Sequence, residues 1–366
     1  MSENLADTKI VEMFSRTIKK DPNIHNAYLL VHSDMHKIHL KIAEGETGML
    51  SAQDQQPFFI ASISKLFTST LIALLVEDSK VTYDDLISEY IEDDLLSNLH
   101  LYKGKDYTQE IKIKQLLNHT SGLQDHFEDK PKAGKSLLDE LFDNPTQVWT
   151  PREVILWSKE NLHSHFPPGK GFHYSDTGYH LLGLIIEKIT SMPLNEAFQH
   201  YIFEPLQMNH SYLFRFPTSE KNELPIAHLF GRHQNVTGFA SLTIASYAGG
   251  GIVSTLEDLL IFMRKLMHGD LVKNESFERM KDWSKFSSLN FLGIDYGYGL
   301  ASFKIIPLIM PKKYRVFGNF GSTGTFMFYH PEMDIYFIGA LNHFGYGRKG
   351  IKIMFKSLNI VLKSIR

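Results

Sequence analysis

Strand-like patterns occur near both ends of this chain and are scarce in its middle. Across residues 26–46, apolar and polar residues alternate on both sides of a short segment from Asp34 to Lys37, which predicts a hairpin. Four more runs, 298–306, 314–317, 325–329 and 335–341, read as strands. Pro331, Glu332, Met333 and Asp334 turn the chain between the last two. Residues 84–240 read mostly as helix and loop, punctuated by Pro167, Pro168 and Gly169 and by Gly231. Helices are also expected over the first twenty residues, within 58–78, over 256–269 with a stop at Gly269, and over 348–364. A sheet drawn from such a chain must be assembled from both of its ends. The expected fold is therefore mixed α/β (α+β): an α/β domain from 1–83 plus 241–366, with a mostly helical domain, 84–240, inserted.

Composition narrows the function classes. At 366 residues and 43% hydrophobic content, the chain can bury roughly three quarters of its unfolded surface. A net charge of −3 gives no basic excess for nucleic acid. The absence of cysteine excludes disulfides, thiolate catalysis and cysteine-ligated metals. The start lacks a basic segment followed by an apolar one, and the apolar run 71–76 is far too short to span a bilayer. The expectation is a soluble, cytoplasmic protein without membrane or nucleic-acid partners, with a monomer favoured. No internal repeat or low-complexity tract is visible.

The most informative stretch is FIASISKLF, which opens the apolar helix with Ser62, Ser64 and Lys65. Ser62 and Lys65 are three apart, so on a helix they share a face. At a helix start, free N–H groups and the dipole make the site electropositive and ease loss of the serine proton. A partly desolvated lysine nearby can then act as its base. The plainer reading is an N-cap serine and a solvated lysine.

Two further segments bear on that choice. PPGKGFHYSDTG places Tyr174 in a loop with polar neighbours, and Ser175 or Asp176 can cap the helix that follows. FGNFGSTGTF brings Gly321, Ser322, Thr323 and Gly324 to the start of a strand, where glycine often marks close approach of a ligand or a backbone.

Together, in this order, the three segments resemble the family of serine β-lactamases, penicillin-binding DD-peptidases and related esterases, nearest the class C branch. The S-x-x-K motif is matched by Ser62 and Lys65, Y-x-N is approximated by Tyr174 and Asp176, and the Lys- or His-led triplet by Ser322, Thr323 and Gly324. LLNHTSGL (116–123) and AGGGIVSTLEDL (248–259) are further landmarks.

The resemblance implies an antiparallel sheet flanked by helices, a helical domain beside it and the active site between them. Ser62 would be the acylated nucleophile, Lys65 its proton acceptor and Tyr174 the second acid/base group. Backbone N–H groups of Ser62 and Thr325 would form the oxyanion hole. Asp176, Ser322, Thr323 and Gly324 would face a small-molecule or peptide substrate. No cofactor and no metal is implied.

Two departures redirect the substrate. Ser322 stands where the family usually carries a cation, and Asp176 where it usually carries an amide. Both disfavour a substrate carboxylate and favour neutral or cationic esters and amides; Arg348 is the candidate replacement cation. The reading is a serine hydrolase of esters or amides. A true β-lactamase or DD-peptidase, and a non-catalytic binding protein on the same fold, are the alternatives.

Other signals are set aside. Ala133, Gly134, Lys135 and Ser136 mimic the end of a P-loop, but Asp129 stands where its first glycine belongs. His163 and His165, and His32, His36 and His39, fit no metalloprotease helix motif and read as surface residues. Phe127, Tyr298 and Phe320 are candidates for an acyl pocket.

Overall fold

A computed structural model describes residues 2–216, 224–285, 287, 293–303 and 312–365. Its framework is one antiparallel sheet built from both ends of the chain. Strands β1 (Asn26–Ser33), β2 (Ile38–Thr47) and β3 (Leu50–Ser51) come from the N-terminal part. The strands β7 (Ile294–Tyr296), β8 (Ala301–Phe303), β9 (Phe317–Phe320), β10 (Phe326–His330) and β11 (Ile335–Ala340) come from the C-terminal part. They lie in the order β7-β8-β9-β10-β11-β1-β2-β3. The seam between the two chain ends is the antiparallel pairing of β1 with β11, with Leu30 opposite Ile338.

Strand β1 is buried at every residue, whereas β2 is buried only intermittently. The reason is that β1 is central and covered on both faces, so its AYLLV core is continuously apolar instead of alternating. Ala27, Leu29 and Val31 face α1 (Ser2–Lys19) and the C-terminal helix α6 (Gly347–Ser364), packing with Ile10, Phe14, Ile353 and Leu358. Tyr28 and Leu30 point the other way, into the core shared with α2 (Ser64–Glu77) and α5 (Leu256–Met267).

The large core continues from the sheet into the helices of the middle segment, including α3 (Pro151–Asn161) and α4 (Asp176–Thr190). Helix α3 starts with a capping box, in which Thr150 accepts from the Glu153 N–H, and with Pro151 in its first turn. A second sheet of three very short strands, β4 (Phe58–Phe59), β6 (Ile252–Ser254) and β5 (Tyr212–Leu213), also joins the middle segment to the rest.

Two strand expectations shift. In the run 298–306 the strand β8 begins only at Ala301, after a turn at Gly299 that joins it to the earlier strand β7, and 304–306 lie outside the described residues. Gly299 has φ +62°, and a Cβ there would lie 2.5 Å from the Lys65 carbonyl oxygen, so the chain cannot stay extended beside α2. The run 314–317 gives way to a 3₁₀ turn, Lys312–Tyr314, and the strand begins at Phe317, where it finds Tyr329 of β10 as partner.

Among the described residues no helix is long and apolar enough to cross a membrane.

Candidate active site

Helix α2 is buried on nearly its whole circumference, polar residues included, so it runs through the centre of the molecule. Any polar side chain in its first turn therefore needs a partner supplied by the fold. Ser62 precedes it on a 3₁₀ turn, Ala61–Ile63. Ala61 holds φ +48°, a left-handed conformation that non-glycine residues adopt only at a cost of about 1–3 kcal/mol.

The two serines of the stretch separate here. Ser64 is fully buried, and its Oγ accepts the Ile252 N–H at 3.1 Å, tying α2 to β6. Ser62 instead lines a cleft, together with Phe59, Phe127, Tyr174 and Phe344.

Lys65 is completely buried, and its three ammonium protons meet three acceptors. These are an Asp176 carboxylate oxygen, the Gly249 carbonyl at 2.8 Å and Ser62 Oγ at 3.4 Å. Gly249 is part of the AGGG landmark, and its lack of a side chain is required: a Cβ there would stand 2.8 Å from Asp176 Oδ1 and 3.3 Å from Lys65 Nζ. The plainer reading of S-x-x-K fails on both counts, because Lys65 is not solvated and Ser62 makes no cap hydrogen bond that defines α2.

Tyr174 hydrogen-bonds Ser62, and the Lys65 ammonium lies 4.8 Å from the centre of its ring. Burial, and then the charge of Asp176, hold the Tyr174 hydroxyl well above its ordinary pKa, so it rests as a phenol. The helix that follows is capped by Ser175, not by Asp176: Ser175 Oγ accepts from the Gly178 N–H at 3.1 Å and donates to the Gln124 carbonyl at 2.7 Å. Asp176 sits at the first helical position, and this leaves its carboxylate free to reach Lys65.

The third segment closes the cleft from the sheet side. Thr325 Oγ1 donates to the Ile60 carbonyl at 3.0 Å, binding the start of β10 to the turn that carries Ser62. A Cβ on Gly321 would sit 2.7 Å from Ala61 Cβ and 3.1 Å from the Ser62 nitrogen, so only glycine permits this approach. Ser322 and Thr323 line the cleft, while Gly324 turns the chain with φ +81°.

Some expected residues lie elsewhere. Arg348 is exposed on the first turn of α6 and borders a groove with Asp21 and Lys349, not the cleft. Phe127 lines the cleft, but Tyr298 and Phe320 do not; the Tyr298 hydroxyl bonds Asp282 at 3.0 Å.

Other residues enter that the motifs did not announce. Glu128 lines the cleft, its carboxyl raised above the usual range by burial and by Asp176. Asp125 Oδ1 accepts the Asp176 N–H at 2.9 Å, and burial followed by the Asp176 charge raises it strongly. His119, from LLNHTSGL, is buried with its ring 4.3 Å from that of Tyr174. Its Nδ1 accepts the Ser175 N–H at 3.1 Å, which fixes the proton on Nε2. Burial first, then the charge of Lys65, keeps this imidazole neutral. The expectation of surface histidines is corrected for His32, and buried histidines are also found at positions 100, 119, 126, 180 and 330.

The family model described as Beta-lactamase matches residues 14–353. Penicillin-binding protein 4* of Bacillus subtilis is 27% identical over 259 residues, covering 66% of this chain and 51% of that protein. The chain thus spans about half the length of this curated relative. Among solved structures, an octameric penicillin-binding protein homologue from Pyrococcus abyssi superposes with a TM-score of 0.78 at 23% identity, covering 97% of this chain and 77% of that one. A D-amino acid amidase from Ochrobactrum anthropi SV3, complexed with D-phenylalanine, gives 0.76 at 22% identity, covering 100% and 99%. These likenesses concern the fold, whereas the family match extends over almost the whole sequence, from the first helix to the last: the chain belongs to the β-lactamase family.

Proposed function

We propose that this protein is a serine hydrolase that cleaves small neutral or cationic esters and amides through an acyl-enzyme on Ser62. The observation that carries the reading is the charge of the cleft. Among the described residues that line it, Asp176 and Glu128 are the carboxylic acids and there is no lysine or arginine; Lys65 lies behind them. A substrate carboxylate would meet acids without a cation to receive it. An ammonium group would relieve the crowding that raises Glu128.

In the proposed reaction Ser62 Oγ attacks the carbonyl carbon. Its proton passes to Lys65 as Lys65 hands one to Asp176, so the pair stores one proton. The developing oxyanion is received by the backbone N–H groups of Ser62 and Thr325. Tyr174, a phenol at rest, gives its proton to the departing alcohol or amine and is replenished by the proton the pair holds. Water then enters, and the same groups run the transfer in reverse to release the acid. The name of the amidase with a similar fold agrees with amide substrates, and the names of penicillin-binding relatives supply the runner-up, a DD-peptidase.

The test is a comparison of kcat/KM for a short neutral ester, an amino acid amide bearing a free ammonium group, and a penicillin. One of the first two should exceed the penicillin by about tenfold or more, the value of one missing charge-assisted hydrogen bond. A penicillin hydrolysed faster than every neutral or cationic substrate would overturn the reading.

A further inference from the structure

Outside the cleft, two histidines and an aspartate converge. The rings of His165 and His173 stack with centroids 3.5 Å apart, and both aim Nε2 at one oxygen of Asp129, at 2.8 and 3.1 Å. The same oxygen also accepts the Asp125 N–H at 2.8 Å. Two ring nitrogens, each a donor or a lone pair according to its tautomer, and one N–H thus converge on a single carboxylate oxygen, which offers about two lone-pair directions. Backbone hydrogen bonds hold both histidines in place: the His165 N–H to the Gly122 carbonyl at 2.9 Å, and the His173 N–H to the His119 carbonyl at 3.0 Å. The crowding is therefore built into the fold and is not an accident of free surface side chains.

We propose that Asp129, His165 and His173 form a binding site for a divalent transition-metal ion of the zinc type. The ligand atoms lie within 4.8 Å of one another. Tetrahedral zinc with bonds of about 2.0–2.1 Å separates its ligands by about 3.3 Å, so the two nitrogen–oxygen spacings need to widen by only a few tenths of an ångström, while the stacked rings must rotate to bring both Nε2 lone pairs onto the ion. An ion held at the three ligand atoms relieves this crowding: each imidazole presents an Nε2 lone pair to it and carries a proton on Nδ1. The Asp125 N–H then remains as the outer hydrogen bond that orients the carboxylate. The side chains are 18–34% exposed, which gives an ion a path in and leaves room for water as fourth ligand. Two nitrogens and one carboxylate select zinc, cobalt or nickel over magnesium and calcium.

The site's position gives the ion a structural role. His173 immediately precedes Tyr174, and Asp125, four residues before Asp129, holds the Asp176 N–H. None of the three ligands lines the cleft. A bound ion would clamp the 125–129 turn to the 165–173 loop and so brace the segment that carries Tyr174 and Asp176.

The experiment titrates Zn²⁺ and Co²⁺ into protein first stripped with a chelator, with Mg²⁺ as control. One equivalent of Zn²⁺ should bind, the Co²⁺ form should show the visible absorption of a tetrahedral complex, and Mg²⁺ should do neither. At a hundredfold excess over Kd, Zn²⁺ should raise Tm by several degrees. His165→Ala and His173→Ala should each weaken Zn²⁺ binding by more than about tenfold, since even an outer partner is worth that much. His163→Ala should leave it unchanged. Far-ultraviolet circular dichroism of the metal-free variants, together with the conservative His165→Gln, separates lost binding from lost folding. Failure to bind one equivalent of Zn²⁺ at micromolar concentration, or binding that survives both alanine substitutions, would overturn the proposal.

Discussion

Lys65 and Asp176, 111 residues apart in the chain, form an ion pair in which Asp176 lines the cleft and Lys65 lies buried behind it, with side chains 17% and 0% exposed. The pair explains how a fully buried ammonium is tolerated in an apolar helix. Removing the carboxylate leaves the charge without its counterion, which in buried pairs costs about 3–5 kcal/mol. Asp176→Ala should therefore lose stability on that scale in denaturant unfolding. Asp176→Asn keeps a carbonyl acceptor for Lys65 and should lose less. Equal losses in the two variants would mean that the acceptor geometry at position 176 does not matter.

Tyr174→Phe removes one hydroxyl and little packing. Turnover of the best ester should fall by about 10² to 10⁴, the range for a positioned acid/base group, with Tm nearly unchanged. An unchanged kcat would make Tyr174 a bystander to the chemistry.

Ser322 lines the cleft at the position where the sequence resemblance implies a cation. Ser322→Lys should raise kcat/KM for penicillin relative to the ester, by up to one to two decades. The gain should be largest when combined with Asp176→Asn, because Asp176 would otherwise compete for the new ammonium. No relative gain in either variant would show that position 322 does not govern discrimination.

Acid should destabilise the protein through its buried histidines. Burial pushes His126 down to about 3; one ring nitrogen bonds Thr177 Oγ1 at 3.1 Å and the other the Ile244 carbonyl at 3.0 Å. The unfolded chain binds this proton near pH 6.5 and the folded one does not, so stability rises with pH between about 3 and 6.5 and is lost as pH falls through that window. At pH 5 this single group accounts for about 2 kcal/mol. Tm measured from pH 7 to pH 4 should fall, and His126→Gln should fall less steeply. An identical slope would assign the acid sensitivity to other groups.

Much of this arrangement was legible in the residues themselves. The S-x-x-K turn, the loop with Tyr174, the glycine-bracketed triplet and the strands at both ends all depend on local pattern, and local pattern is what a sequence displays. The remainder depends on contacts between distant segments. Strands β4 and β5 have two residues each, too few to set a period, and are defined by their pairing with β6. Ser62 and Ser64 look alike until the fold places Ile252 on one and the cleft on the other. Glu128 and His119 join the site because two loops meet there. Arg348 follows a strand of the correct sheet, yet the first turn of α6 carries it away from the cleft.

The central claim is that Ser62 is the acylated nucleophile, and peptide mapping after reaction with a fluorophosphonate and with a slowly hydrolysed ester tests it most directly. The account predicts one adduct per chain by intact mass, located on Ser62, and none in Ser62→Ala. An adduct on Ser64, Ser175 or Ser322, or full labelling of Ser62→Ala, would contradict it.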